Sequence, residues 1–230
     1  MLPAMPSSEH LKDFKAVWGD SCQSMWAELL ALTIAESHIV SNYNDLPTDR
    51  RLTDMFYAPE LRGRLDDLKK DTYLGRVNNY RMAVITNRII VLSASFETYL
   101  GNFIDAFIRS KPKLYSVAND ERTPAGDKLY GEVTKIRGLS ARIEKFAELA
   151  NSKIASVRPR CSYLDDVYML RNVLAHRAGR VDDHAASVLK HLKFNPGERV
   201  SLSTDELLVL AAPVIKIAEI LDAKLSAASV

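Results

Sequence analysis

The feature that most constrains the fold is a long amphipathic segment over residues 75–109. Its large apolar side chains recur every three or four positions, which is the period of an α-helix. They are Ile85, Ile89, Leu92, Phe96, Tyr99, Phe103 and Phe107, and the stripe is widened by Ile90, Leu100, Ile104 and Ile108. The pattern predicts one long helix at the centre of the core, and it places the chain in the all-α class.

Helical signals also dominate the residues before this segment. Ser7 or Ser8 can cap a short first helix, and Asp20 precedes a second run with helical periodicity. Residues 42–54 are polar and predict a loop. A further helix is expected over 59–70, because a proline at position 59 suits the first turn of a helix.

Residues after the long segment predict more helices and very little strand. A loop or insertion is expected over 110–126, and Val200 and Leu202 suggest a short extended segment. Ser162 is a candidate cap for a helix that ends near His176, before Gly179. The other helices are expected over 139–150, over 183–192 and after a capping box at 203–206, the last one continuing to about 227 with a bend at Pro213.

Composition narrows the class of protein. The 230 residues carry 31 Lys and Arg against 29 Asp and Glu, a net charge of +2, which excludes a polycationic coat protein. Cys22 and Cys161 are far apart, which excludes a disulfide scaffold and a cysteine zinc site, while one long-range disulfide stays open. Since no signal peptide or membrane-spanning segment is evident, we expect a cytoplasmic protein that does not enter a membrane.

One short segment combines three polar side chains with complementary chemistry. Arg171, Asn172 and His176 fall within about one and a half helical turns. Asn172 and His176 share a helix face, whereas Arg171 and His176 lie roughly 140° apart on an ideal helix. An arginine binds phosphate oxygens with two parallel donors, and a histidine exchanges protons near neutral pH. The trio therefore suits a phosphodiester substrate.

These residues resemble the signature of the HEPN superfamily, an arginine followed by a polar residue and, four to six positions on, by a histidine. The context is also similar, because the motif lies near a helix end before a last long helix. An upstream helix carrying 95–100 resembles the first core helix of that family. The resemblance implies a four- or five-helix HEPN-like bundle over 76–230, preceded by an N-terminal helical accessory segment over 1–75.

The resemblance also implies an activity and an arrangement of subunits. Many HEPN proteins are metal-independent endoribonucleases of toxin–antitoxin, defence or RNA-processing systems, and they usually dimerise so that two motifs share one cleft. In such a site Arg171 would hold the phosphate, His176 would act as general acid or base, and Asn172 would orient the histidine or the scissile group. Glu97 would support the cleft, and no cofactor or metal would be needed. Ala178 replaces a tyrosine that some relatives modify, so that regulation is not expected.

Charge is distributed unevenly along the chain in a way that fits a phosphate-binding site. Residues 151–200 contain nine Lys and Arg against five Asp and Glu, a net +4, so the remainder sums to −2. Four arginines of this segment are predicted RNA contacts: Arg158, Arg160, Arg177 and Arg180. His184 and His191 lack further ligands for a metal site and are expected to be surface residues.

Three interpretations stay open on the sequence alone. The first is an endoribonuclease that acts as a homodimer on RNA, with an antitoxin or another defence protein as a further partner. The second is a non-catalytic HEPN-like module that binds RNA or a protein. The third is a helical assembly protein, in which Asn172 and His176 merely hydrogen-bond at a helix end and Arg171 is a surface residue.

Overall fold

The structure is a computed structural model, and it describes residues 7–56, 68–151 and 154–228. The fold is all-α, as predicted. Its α-helices are α1 (Glu9–Asn42), α2 (Lys70–Thr86), α3 (Arg88–Arg109), α4 (Pro124–Thr134), α5 (Leu139–Leu149), α6 (Cys161–His176), α7 (Asp183–Val188) and α8 (Thr204–Ala228). Two-residue strands β1 (Tyr115–Ser116) and β2 (Glu121–Arg122) form a small antiparallel pair.

Helix α3 lies at the centre of the main core, which confirms the prediction for the apolar stripe. It contacts α1, α2, α4, α6 and α8, and most of its large apolar residues from Ile89 to Ile108 are buried, while Ile90 and Val91 are half-buried. The predicted single helix is nevertheless two, because α2 ends at Thr86 and α3 starts at Arg88. Asn87 keeps helical backbone angles (φ −64°, ψ −18°). The apolar period therefore runs across the junction and does not reveal it.

Helix α1 is one 34-residue helix, so the prediction of separate helices divided near Asp20 is wrong. Ser8 is its cap, as predicted: its hydroxyl accepts a hydrogen bond from the Leu11 amide over 3.2 Å. The Ser8 main-chain nitrogen and hydroxyl both donate to Asp222, a buried carboxylate of α8. The start of α1 is thereby attached to the last helix.

Two hydrophobic clusters share α1 between them. Its first half contributes Leu11, Phe14, Trp18 and Met25 to the main core. Its second half packs Ile39 against a smaller cluster with residues of α2, among them Tyr73 and Val77. The predicted boundary between 1–75 and 76–230 stays a prediction, and within the described residues α1 belongs to both clusters.

The connection before α2 is organised by one buried lysine. The Lys70 ammonium donates to the carbonyls of Tyr43, Asn44 and Leu46 at 2.7–2.8 Å. Most of the helix predicted over 59–70 lies outside the described residues, and Lys70 is the first residue of α2. A loop follows Asn42 as predicted, with a short 3-10 turn at Leu52–Asp54.

The predicted loop over 110–126 contains the β1–β2 pair and the first turn of α4. Helix α4 was not predicted from the sequence. Thr123 caps α4 by accepting from the Gly126 amide over 3.4 Å, and Pro124 occupies the first turn. Gly126 packs directly against the Leu114 carbonyl, where any Cβ atom would collide. A proline and a glycine that read as loop residues are here the beginning of a helix.

Helices α5 and α8 lie where they were predicted, whereas α7 is shorter than expected. The capping box before α8 is confirmed, since the Ser203 amide donates to the Glu206 carboxylate and the Glu206 amide to the Ser203 hydroxyl. Helix α7 ends at Val188 rather than at 192. Cys22 and Cys161 are both free thiols, so the disulfide left open by the sequence is absent. No helix within the described ranges has the length and hydrophobicity to cross a bilayer.

Candidate phosphodiester site on helix α6

The motif residues lie on the side of α6 that faces away from the hydrophobic core. Leu164, Val167, Leu170 and Val173 are buried in the main core. The helix begins at Cys161 after a 3-10 turn at Arg158–Arg160, so the prediction of a Ser162 cap is wrong. The Ser162 hydroxyl instead bonds to His191 Nε2 at 2.9 Å. The helix end near His176 is confirmed.

Arg171 and Asn172 form a hydrogen-bonded pair. The Arg171 guanidinium donates from Nη1 to the Asn172 amide oxygen over 3.0 Å. Both side chains are half-buried. Among the described residues no carboxylate lies within ion-pair distance of Arg171, so its positive charge is oriented but not neutralised. Such a guanidinium retains donors for an incoming anion.

His176 is exposed at the last position of α6. Its imidazole has no hydrogen-bond partner within the part of the chain that the structure describes. The backbone then reverses through two left-handed residues, Ala178 (φ 50°) and Gly179 (φ 74°). The amides of Arg177 and Gly179 both donate to the Val173 carbonyl, at 3.0 and 3.1 Å, which closes the helix end. The exposed imidazole is therefore accessible to a ligand.

A short antiparallel pairing fixes the chain just after this turn. The Val181 amide donates to the Glu198 carbonyl (2.9 Å), the Gly197 amide to the Val181 carbonyl (2.7 Å), and the Val200 amide to the Gly179 carbonyl (2.8 Å). This pairing contains the extended segment predicted at Val200. Because both strands of the pair are held by backbone bonds, the end of α6 is anchored to the chain that leads into α8.

The predicted RNA contacts Arg177 and Arg180 lie beside His176 in sequence and are exposed. The Arg177 guanidinium pairs with the Asp182 carboxylate, and Arg180 donates from Nη1 to the Gly197 carbonyl over 3.1 Å. Both arginines thus brace the turn after α6. Arg177 has its charge balanced by Asp182, whereas Arg180 has only a carbonyl partner among the described residues.

Three other predicted site residues do not contact the motif. Arg158 and Arg160 lie at the opposite end of α6, on the order of 24 Å along its axis from His176. Arg158 faces Glu144 at 3.8 Å, and Arg160 donates to the Ser156 carbonyl over 2.8 Å. Glu97 forms an ion pair with Arg142 of α5 at 2.6 Å. Within one protomer Arg171 and Asn172 are in contact, and His176 follows Asn172 by one helical turn on the same face of α6.

A groove that the sequence did not indicate adjoins the motif between α6 and α7. It has a volume of about 480 Å³ and is lined by Asp165, Tyr168, Met169, Ser187, Val188 and Lys190. Asp165, Met169, Asn172 and His176 are spaced by four, three and four residues, so they follow one face of α6. Tyr168 lies one turn before Arg171 and Asn172. The groove therefore lies along the face of α6 that carries Asn172 and His176, although no motif residue lines it.

Buried Asp166 holds the α7 side of this groove in place. Its carboxylate accepts from the Lys190 amide (3.0 Å) and the His191 amide (2.7 Å), and its side chain is almost fully enclosed. His191 in turn stacks on Tyr163, with ring centroids 3.5 Å apart. His191 is therefore a half-buried structural residue rather than the surface residue that was predicted. Among the described residues there is no group of three His, Cys, Asp or Glu side chains placed to hold a metal ion.

Comparison of the chain with protein-family models, curated proteins and solved structures finds no match.

Proposed function

We propose that this chain is a metal-independent endoribonuclease of the HEPN type. The observation that carries the proposal is the outward face of α6, where Asn172 orients an Arg171 guanidinium that no carboxylate among the described residues neutralises, one turn from an exposed His176. A cation without a counter-charge binds a phosphate oxygen, and an accessible imidazole moves protons near pH 7. The net +4 of residues 151–200 adds a favourable field for RNA.

The proposed reaction is attack of a ribose 2′-oxygen on the adjacent phosphorus. A base takes the 2′-hydroxyl proton, the bond from phosphorus to the 5′-oxygen breaks, and an acid protonates that oxygen. The products are a 2′,3′-cyclic phosphate and a 5′-hydroxyl end. Arg171 stabilises the charge on the non-bridging phosphate oxygens during this displacement.

This displacement needs two groups that exchange protons, and among the described residues of one protomer His176 is the single histidine on this face of α6. We therefore propose a homodimer in which the partner's His176 completes the site across a shared cleft, one imidazole acting as base and the other as acid. The proposed setting is the cytoplasm of a cell with a toxin–antitoxin or defence system, with an antitoxin or another defence protein as a further partner. Glu97 remains a proposed supporting residue, acting through its pair with Arg142.

Cleavage of RNA in the presence of EDTA tests this function. We expect products with cyclic-phosphate ends, and we expect His176→Ala and Arg171→Ala each to lower the rate at least 100-fold. His184→Ala and Arg137→Ala, which change an exposed histidine and an exposed arginine elsewhere, should cleave as the parent does. Equal rates for the parent and the two motif variants would refute the assignment.

A second candidate function is a non-catalytic HEPN-like module that binds RNA or a protein. One observation favours it, namely that His176 has no proton-transfer partner among the described residues of its own protomer. In that case RNA would bind tightly and with strong salt dependence, yet stay intact after long incubation. Binding without turnover by the dimeric protein would select this function over the first.

A further inference from the structure

We propose that the groove between α6 and α7 binds a nucleobase of the RNA strand whose phosphate is held by Arg171, and that guanine is the preferred base. This inference rests on the proposed function for the identity of the strand. It adds a base-recognition site to a motif that otherwise contacts the backbone alone.

The position of the groove relative to the motif is the first support. Tyr168 precedes Arg171 by three residues and Asn172 by four, so these side chains are neighbours on the surface of α6. Met169 and Asn172 are about 4.5 Å apart along the helix axis. A phosphate on Arg171 would thus leave the base of the same nucleotide within reach of the groove.

The lining has the composition of a base-binding site. Tyr168 supplies an aromatic ring, and Met169 and Val188 supply apolar surface. Single-stranded RNA is recognised by stacking of unpaired bases on aromatic side chains, with hydrogen bonds to their polar edges. A volume of about 480 Å³ is ample for one base and its ribose.

Polar groups on opposite walls select among the bases. The Asp165 carboxylate accepts one hydrogen bond, from the Ser140 hydroxyl, and has further lone pairs to accept from a ligand. The Lys190 ammonium has no carboxylate within ion-pair distance among the described residues. Guanine carries two adjacent N–H donors beside its O6 acceptor, which matches a carboxylate and an ammonium. Uracil and cytosine offer fewer donors to Asp165.

Lys190 is held in the lining of the groove by its main chain rather than by its side chain. Asp166 fixes the Lys190 amide at 3.0 Å, so the main chain at this position is ordered while the ammonium is exposed. The Tyr168 hydroxyl also has no hydrogen-bond partner within the described residues. These groups are available to a ligand without breaking existing contacts.

Binding of mononucleotides tests the groove without relying on cleavage. The protein, labelled at its methionine methyl groups, is titrated with 5′-GMP, AMP, CMP and UMP and followed by NMR. We expect the Met169 methyl resonance to move, with the tightest binding for GMP. Tyr168→Leu should weaken binding about tenfold and Tyr168→Phe should retain it, since the ring provides the stacking. Asp165→Asn should remove the preference for GMP.

Matched variants separate this inference from the proposed function. Tyr130→Leu, a half-buried tyrosine of α4, should bind GMP as the parent does, and Arg171→Ala should weaken all four nucleotides equally. If GMP moves Met169 but RNA is never cleaved, the groove stands and the ribonuclease proposal fails. A Met169 resonance that none of the four nucleotides moves at millimolar concentration overturns the groove, whether or not RNA is cleaved and whether or not the Tyr168 variants fold.

Discussion

Arg171 differs from most of the buried or half-buried arginines in having an amide as its neighbour. Arg81, Arg88 and Arg142 each pair with a glutamate at 2.5–2.6 Å. Asn172 provides the same kind of orientation, through one hydrogen bond, but leaves the charge in place. The choice of a neutral partner is what suits this arginine to an anionic ligand rather than to an internal ion pair.

Replacing that amide by a carboxylate tests this reading. In Asn172→Asp the new charge would neutralise Arg171 and repel phosphate. We expect RNA affinity to fall about tenfold and the slope of log affinity against log salt to decrease by about one. Asn102→Asp, an exposed asparagine of α3, is the control and should change neither quantity beyond a small general effect. Unchanged salt dependence in Asn172→Asp would mean that Arg171 does not contact phosphate.

Gly126 offers a second test at the level of one residue. A Cβ atom there would collide with the Leu114 carbonyl and crowd Ile108. We expect Gly126→Ala to destabilise the protein by about 1–3 kcal/mol, measured as a lower urea midpoint. Gly101→Ala, in the open interior of α3, should instead be neutral or stabilising by up to about 1 kcal/mol.

At the scale of elements, periodicity predicted helices well and predicted their junctions poorly. The stripe from Ile89 to Phe107 was found because burial repeats with the helical period. The junction at Asn87 was missed since its backbone stays helical, and α1 was divided at Asp20 because an acidic residue resembles a cap. Local sequence does not indicate which helix a given face will pack against, so it does not predict where one helix ends and the next begins.

The candidate site likewise has one part that sequence spacing predicted and one part that depends on tertiary structure. Arg171, Asn172 and His176 are close in sequence, so their spacing alone placed them on one helix end. Lys190 comes to the same surface only because Asp166 binds the backbone after α7. A groove made by two elements through a buried carboxylate is a tertiary feature, and no signal along the chain could have indicated it.

Replacing the Asp166 carboxylate should weaken its hydrogen bonds to the Lys190 and His191 amides, which follow α7 and hold one side of the groove. Asp166→Asn keeps the size of the side chain but replaces one acceptor oxygen by an amide donor that faces two N–H groups. We expect a loss of about 1–3 kcal/mol in the free energy of unfolding and faster hydrogen exchange at the Lys190 and His191 amides. Asp183→Asn, an exposed acid in the first turn of α7, should leave both amides protected.

The ion pairs of Asp105 in α3 with Arg109 and with Arg122 of β2 should make part of the protein's stability depend on pH in the acid range. Burial tends to raise the pKa of Asp105, but hydrogen bonds and charges from Arg109 and Arg122 outweigh it and lower the pKa below its ordinary value of 3.8. Since the folded pKa is the lower one, this stabilisation is present above about pH 4 and is lost as the pH falls through the folded pKa. Asp105→Asn should therefore lose less stability between pH 6 and pH 3 than the parent, as measured by urea denaturation. A parallel loss in both proteins would contradict this assignment.

At the scale of the whole molecule, α1 connects the two hydrophobic clusters, as α2 also does by contributing Val77 to the smaller cluster and Ile85 to the main core. Its 34 residues extend about 50 Å, and its two halves enter the main core and the smaller cluster. Bonds from Ser8 to Asp222 and from Lys15 to Glu219 attach it to α8 as well. A single rigid helix therefore couples the first described residues to the last helix of the chain.

The proposed shared cleft makes a quantitative prediction for mixed dimers. When parent and His176→Ala chains are co-expressed in equal amounts, random pairing gives about one quarter parent homodimers. If both imidazoles are needed, the mixture should retain about a quarter of the parent activity. Sites that work independently in each protomer would retain about a half. The assay is the EDTA-resistant cleavage rate at equal total protein.

The chain has two tryptophans, and α1 carries both of them, eight residues apart. Trp18 is 7% exposed in the main core, whereas Trp26 is 53% exposed on the outer face of the same helix. Their fluorescence should differ in emission wavelength. The exposed Trp26 should emit at longer wavelength than Trp18 and should be quenched by iodide. Selective quenching thus gives an optical readout in which changes at the molecular surface are separable from melting of the interior, without any added label.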